Sequence, residues 1–287
     1  MVRLTLLLWC SAGFISAQIA PNDAPTAASI IRRSVDRDWN NFSRARDYTF
    51  EQRVENRQLD RSGAVKSTES KTFDVVMIGE RRYRKLIEEN DRPLSQNKAR
   101  QVQEAFDKEI RQQANLSAGE RRKQADRRRK AQEESRGFTR QIPEAFDFEL
   151  LRRDQLDGIP VWVIRAEPRQ RFKPKAKDAR LLNKFRAVLW IDEKEYQWVR
   201  IEAEVIDTVS FGWVLARLGK GTALTFQQTR VHGEIWMPSR AQTRVNARLA
   251  LLKPIRAEVD VRWRNYRKFS TESRVVSLED ASSDPDR

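Results

Sequence analysis

Cysteine and histidine are nearly missing from these 287 residues: there is one of each, Cys10 and His232. That scarcity excludes a disulfide framework and a Cys/His zinc site, and it leaves nucleophilic catalysis of the Cys–His or Ser–His kind with almost nothing to draw on. Long apolar runs are missing too. No stretch approaches the ~20 apolar residues that a bilayer-spanning helix requires. Phosphate-cradling loops are absent as well: Gly219-Lys220-Gly221 is too short and lacks the Ser or Thr that opens a helix. What the chain does have is aromatic and basic. Eight tryptophans and 39% hydrophobic residues exclude wholesale disorder. The 56 Lys and Arg against 41 Asp and Glu give a net charge of +15.

Residues 1–17 read as a cleaved secretory signal. Arg3 supplies the positive start, the run from Leu4 to Cys10 begins an apolar segment, and Ile15-Ser16-Ala17 offers a cleavage site before Gln18. At ~1.5 Å per residue the apolar segment is too short for a span, and bulky Trp9 before Cys10 is wrong for a lipoprotein signal. Cleavage removes Arg3 from the +15, leaving +14 and no cysteine. An exported, periplasmic protein without disulfides must be stabilised by packing alone.

The mature chain alternates between two periods. Ile31, Val35 and Phe42 share a helical face over residues 24–43, with Arg32, Arg33, Asp36 and Asp38 opposite. From Ala45 the period falls to two, and strands follow through Tyr48–Val54, Phe73–Met77 and residues 81–88, separated by turns at 60–63 and 79–80. Residues 96–136 break the pattern. Val102, Phe106 and Ile110 make one narrow apolar stripe, and Ser117 with Glu120 opens a second helix that has almost nothing to bury. Strands resume after Pro143 over 146–154, 159–167, 185–192, 196–207, 209–218, 223–231, 234–247 and 255–268. The expected class is α+β, with about eleven antiparallel strands in a single domain over 18–275, a basic helical insert at 96–136 and an acidic, disordered tail over 276–287. Apolar residues on both faces of 185–192 fit a curved sheet under helices, and fit a two-layer sandwich equally well.

Several local phrases resemble the LolA/LolB-like lipoprotein-carrier superfamily. They are Tyr48 to Gln52 with Leu59 to Gly63, Tyr83 to Pro93, and Val188-Leu189-Trp190-Ile191-Asp192 followed by Tyr196 to Glu202. Ile235-Trp236-Met237-Pro238 and Asn265 to Phe269 complete the set, so the resemblance spans roughly 24–270. It implies a strongly curved antiparallel sheet, an incomplete β-barrel whose concave face is covered by helices and shelters acyl chains. The chain departs from the classical carriers in its length, in the basic segment 117–136, and in offering no single position that matches their lid-locking arginine.

The function this points to is a periplasmic, non-catalytic carrier of lipid or lipoprotein acyl chains, monomeric and without cofactor or metal. Candidate ligand residues are Tyr48, Phe50, Trp190, Trp198, Phe226, Trp236 and Trp263, with Trp162 and Trp213 in the wider aromatic set, since apolar ligands are bound in concave aromatic-rich sites. Arg121, Arg122, Lys123, Arg127, Arg128, Arg129 and Lys130 are candidates for docking on an anionic membrane surface; a solvated helix with internal ion pairs is the plainer alternative. Residues 98–136 carry 12 basic against 7 acidic residues. No nucleic-acid reader motif accompanies the basic charge. The alternatives are an envelope interaction protein of the same fold that uses the basic insert, and a secreted hydrolase with a carboxylate pair. His232 beside Gly233 reads as a turn residue.

Overall fold

Strand formation here follows the two-residue alternation, and the hairpins are set by residues that tolerate positive φ. Asp157 and Gly158 have φ of 51° and 80°, and His232 and Gly233 have 51° and 68°. Positive φ at two central residues matches the twist of tight antiparallel hairpins. His232 is therefore a turn residue. The computed structural model describes residues 24–79, 81–175, 177–211, 216–249 and 253–268. The expected signal at 1–17, including Cys10, and the tail at 276–287 lie outside the described residues, as does Trp213.

The chain opens with α1 (Ala27–Arg44), whose N-cap Thr26 accepts from the Ser29 amide at 3.2 Å. Then come β1 (Tyr48–Leu59), β2 (Val65–Ile78), β3 (Arg81–Glu89) and the two-residue β4 (Arg92–Pro93). Helices α2 (Gln96–Ala114), α3 (Ala118–Thr139) and the single turn α4 (Ile142–Ala145) lead to β5 (Phe146–Leu156) and β6 (Ile159–Pro168). A 3-10 helix (Lys177–Lys184) precedes β7 (Phe185–Asp192), β8 (Trp198–Val205), β9 (Val209–Phe211), β10 (Ala216–Leu218), β11 (Ala223–Val231), β12 (Ile235–Leu249) and β13 (Lys253–Lys268). The span 209–218, expected as one strand, is two: β9 and β10 pair with each other antiparallel, and β10 hooks onto the end of β12.

Eleven strands form one open antiparallel sheet in the order β4-β3-β2-β1-β13-β12-β11-β8-β7-β6-β5. It does not close into a barrel. Both edges are joined in sequence by α2, α3 and α4, which follow β4 and precede β5. The fold is thus the α+β incomplete barrel expected, with eleven strands in the main sheet.

The largest core lies between α1 and the β5–β8 part of the sheet. Ile30, Ile31 and Val35 of α1 meet Phe146, Trp162, Ile164, Ala166, Leu189 and Ile191. Ile30, Ile31, Ile164 and Ile191 are each 0% exposed. Burying side chains of this size contributes roughly 1.5–3 kcal/mol each before conformational entropy is counted. Helix α1 is also pinned at its C-terminal half: Asn41 Nδ2 donates to the Trp236 carbonyl at 2.6 Å, and the Trp236 amide donates to Asn41 Oδ1 at 2.9 Å. Helix α2 packs Phe106 on Tyr83, with ring centroids 5.3 Å apart. Helix α3 has the capping box that Ser117 and Glu120 predict, and no buried residue.

Candidate functional site

Pairing register places one apolar row across eight strands. Val54 pairs with Val261, Val261 with Ala241, Ala241 with Phe226, and Phe226 with Ile201. The row continues through Leu189, Ile164 and Leu150. A second row on the same face runs Val259, Thr243, Leu224, Ala203, Ala187, Ala166 and Phe148. Side chains alternate between faces along a strand, so this whole set points to one side.

The two ends of this face differ in cover. Leu189, Ile164 and Ala166 are buried beneath α1 and its neighbours. Val54, Val261, Ala241, Phe226 and Ile201 are only half-buried, and Leu224 and Ile255 are 39% and 36% exposed. Among the described residues no helix packs extensively against β11 or β13; α1 reaches β5 and β12, and α2 reaches β2 and β3. An apolar sheet face is therefore half covered and half open.

The opposite face is ionic. Glu55 pairs with Asp260, Asp260 with Gln242, and Gln242 with Thr225. Asp260 accepts from Arg240 and from Arg262, and Glu55 accepts from Arg53. The desolvation of Asp260 acts against ionisation, yet these guanidinium bonds hold it below the ordinary carboxylate value. Glu55 is also held low, chiefly by its bond to Arg53. A groove of about 320 Å³ on this side is lined by Glu55, Arg57, Thr225, Gln242, Arg244 and Asp260 among others. Such a lining suits water and ions, and desolvating it beneath an acyl chain would cost heavily. The neighbouring carboxylates Glu55 and Asp260 are both held ionised by arginines, so neither is a proton donor of the kind a carboxylate-pair hydrolase needs.

The seven candidate ligand aromatics divide between locations. Phe226 and Trp263 lie half-buried on the open apolar face, with Trp263 opposite Gln52. Phe50 is buried on the same face and meets Tyr266 in a tilted ring contact, centroids 5.4 Å apart. Tyr48 is 2% exposed in a small cluster with Val231, Ile235 and Met237. Trp198 packs against the α1 core, and its buried indole N–H has no partner among the described residues. Trp190 and Trp236 belong to a cluster on the reverse side with Val161, Val163 and Val199. There Trp236 Nε1 donates to Glu195 at 2.6 Å and the Arg200 guanidinium lies 5.2 Å over Trp190. One pocket cannot take all seven. Trp162, of the wider set, is buried under α1 and meets Tyr196 in a tilted ring contact, centroids 5.0 Å apart.

The seven candidate docking residues all lie on α3, in a solvated helix. Arg129 pairs with Asp126 at 3.1 Å and Arg121 donates to the Leu116 carbonyl at 2.9 Å. Arg128 is half-buried. Arg122, Lys123, Arg127 and Lys130 are exposed.

Sequence reasoning missed two further groups. Asp38, on α1, is pushed above the ordinary carboxylate value by burial, with the Gln197 side chain donating to it at 3.1 Å. Arg82 and Arg84 sit on the apolar face over Phe50 and Phe73. Arginines on an alternating strand read as its solvent side, so only the register exposes them.

Among the described residues no helix is long and apolar enough to cross a membrane, and no group of three or more His, Cys, Asp or Glu could hold a metal ion. No protein-family model matches the chain, and no curated protein does. Similarity is found among solved structures. A LolA superfamily protein from Nitrosomonas europaea aligns over 89% of this chain and 99% of its own at 12% identity, with a TM-score of 0.29. A DUF1329 family protein from Desulfovibrio piger aligns over 90% and 97% at 12% identity, with a TM-score of 0.33. An outer membrane lipoprotein-sorting protein domain from Vibrio parahaemolyticus, itself assigned that role as a putative one, aligns over 87% and 96% at 9% identity, with a TM-score of 0.30.

Proposed function

We propose that the chain is an exported, periplasmic carrier that shelters the acyl chains of a lipid or lipoprotein on the open half of its apolar face. One observation carries this reading: from Ile201, at the rim of the α1 core, the apolar row continues through Phe226, Ala241, Val261 and Val54, which lie outside that core. Exposed apolar area of that extent is costly in water, and a bound chain would remove it at about 0.8 kcal/mol per methylene. No bond is made or broken in this role. The protein excludes water from the chain and releases it to a better apolar partner. Helix α3, basic and without buried residues, would bring the carrier to an anionic bilayer, each nearby charge contributing about 1 kcal/mol at most.

The test is native mass spectrometry of protein purified from a membrane fraction, followed by lipid extraction. Co-purifying lipid that is lost when Phe226 and Val261 are both replaced by Asp supports the reading. Absence of lipid, together with no uptake of a fluorescent fatty acid, would overturn it. The exposure of α3 also favours a second reading, a cell-envelope interaction protein that uses this helix on a protein or polysaccharide. In that case changing Arg122, Lys123, Arg127, Arg129 and Lys130 of α3 together to Gln would abolish partner capture and leave acyl uptake untouched.

A further inference from the structure

Three arginines gather at the β2–β3 end of the apolar face. The Arg84 guanidinium lies 4.0 Å over the ring of Phe73, and that of Arg82 lies 5.4 Å over Phe50. Arg82 also donates to the Ala45 carbonyl at 2.7 Å, which places it beside Arg46 in the 3-10 turn Ala45–Asp47. Their charges repel each other.

Most of the arginines on β1, β12 and β13 are neutralised. Arg53, Arg57, Arg240, Arg244, Arg262, Arg264 and Arg267 each have a carboxylate partner. Among the described residues Arg46, Arg82 and Arg84 have none. Arg82 and Arg84 lie on the same face as the open apolar rows, as does Lys71, which pairs with Val54. Arg84 shares its row with Val75 and Phe50, and Phe73 beneath it pairs with Gln52, which in turn pairs with Trp263. Three strand spacings, about 14 Å, therefore separate the β3 and β13 backbones, and the Arg84 side chain leans over β2, shortening the gap.

We propose that Arg46, Arg82 and Arg84 form the headgroup site of the carrier, taking the anionic head, carboxylate or phosphate, of a lipid whose chain lies along Trp263, Val261 and Phe226. The inference rests on the carrier reading and narrows it to anionic amphiphiles. Guanidinium groups present paired N–H donors that match carboxylate and phosphate oxygens. Phe50 and Phe73 hold two of them by their faces, which pre-orders the donors while leaving their edges free. Partial desolvation lowers the affinity of Arg82 and of Arg84 for their protons, so an arriving anion would restore favourable charge pairing.

The experiment is displacement of the uncharged dye N-phenylnaphthylamine from the full chain by laurate, lauryl phosphate and methyl laurate. The two anions should displace it at roughly tenfold lower concentration than the ester, the scale of one charge-assisted hydrogen bond kept from water. The preferred anion identifies the head. Arg84→Met keeps the stem on Phe73 and should erase most of the preference without changing ester binding, Arg84→Lys should retain part of it, and Arg46→Met should act like Arg84→Met. Arg82 is left intact because it holds the Ala45 carbonyl. Equal displacement by acid and ester, or an Arg84→Met loss that is the same for both, overturns the headgroup site while the carrier stands. Failure of every ligand to displace the dye, or of the dye to bind, removes the carrier reading and this inference with it.

Discussion

Ile164 and Phe226 lie on one apolar row, and truncating each should have opposite consequences. Ile164 is 0% exposed between α1 and the sheet. Ile164→Ala removes a branched side chain from a site that cannot collapse freely, at a cost of about 3–4 kcal/mol. Phe226 is half-buried and, among the described residues, no helix packs extensively on its strand, so Phe226→Ala forfeits only the part already packed, about 1–2 kcal/mol. The missing ring should instead be felt by the ligand. Hiding about 60–80 Å² of ring surface at ~25 cal/mol/Å² is worth about 1.5–2 kcal/mol, or a roughly tenfold to thirtyfold loss of affinity. Urea unfolding measures the first quantity and titration with a fluorescent fatty acid the second. The reasoning is refuted if Phe226→Ala destabilises as much as Ile164→Ala and leaves uptake unchanged, because the face would then be filled core throughout.

Asp260→Asn should cost about 1–2 kcal/mol at pH 7 by weakening the bonds to Arg240 and Arg262. The folded protein holds Asp260 below 3.8, so its stabilisation is present above the unfolded value and is lost as pH falls through the folded one. Urea midpoints of the two proteins should therefore converge in acid. Asp38 has the reverse sign. Its folded value is raised above 3.8, so its ionisation as pH rises weakens the fold, and Asp38→Asn should be more stable than the parent at pH 7 while keeping an acceptor for Gln197. Changing Arg122, Lys123, Arg127, Arg129 and Lys130 together to Gln should reduce binding to phosphatidylglycerol vesicles by at least tenfold at low salt, a difference that shrinks as salt screens it. Flotation of the vesicles measures this, and equal binding would leave α3 a merely solvated helix.

Local chemistry made the elements legible. Alternation marked the strands, Asp157-Gly158 marked a hairpin, and Ser117 with Glu120 marked the start of α3. Faces were harder to read. Register shifts between Trp190 and Ile191 and between Gln227 and Gln228 change which side the following residues take. That is why Trp236 could be grouped with Phe226 on sequence alone, although it lies on the reverse side; Trp190 lies there by simple alternation from Leu189. The division of 209–218 into β9 and β10 was hidden because apolar residues continue through it. Arg82 and Arg84 were hidden for a different reason: their unpaired state depends on pairing across β1, β2 and β3, which no local pattern carries.

The central claim is that the open half of the apolar face binds acyl chains by burying them. Dissociation constants for a series of saturated fatty acids of increasing length test it most directly. At about 0.8 kcal/mol per methylene, affinity should rise roughly fourfold for each added carbon until the chain outruns the face. Affinity independent of chain length, or no binding at any length, would contradict it.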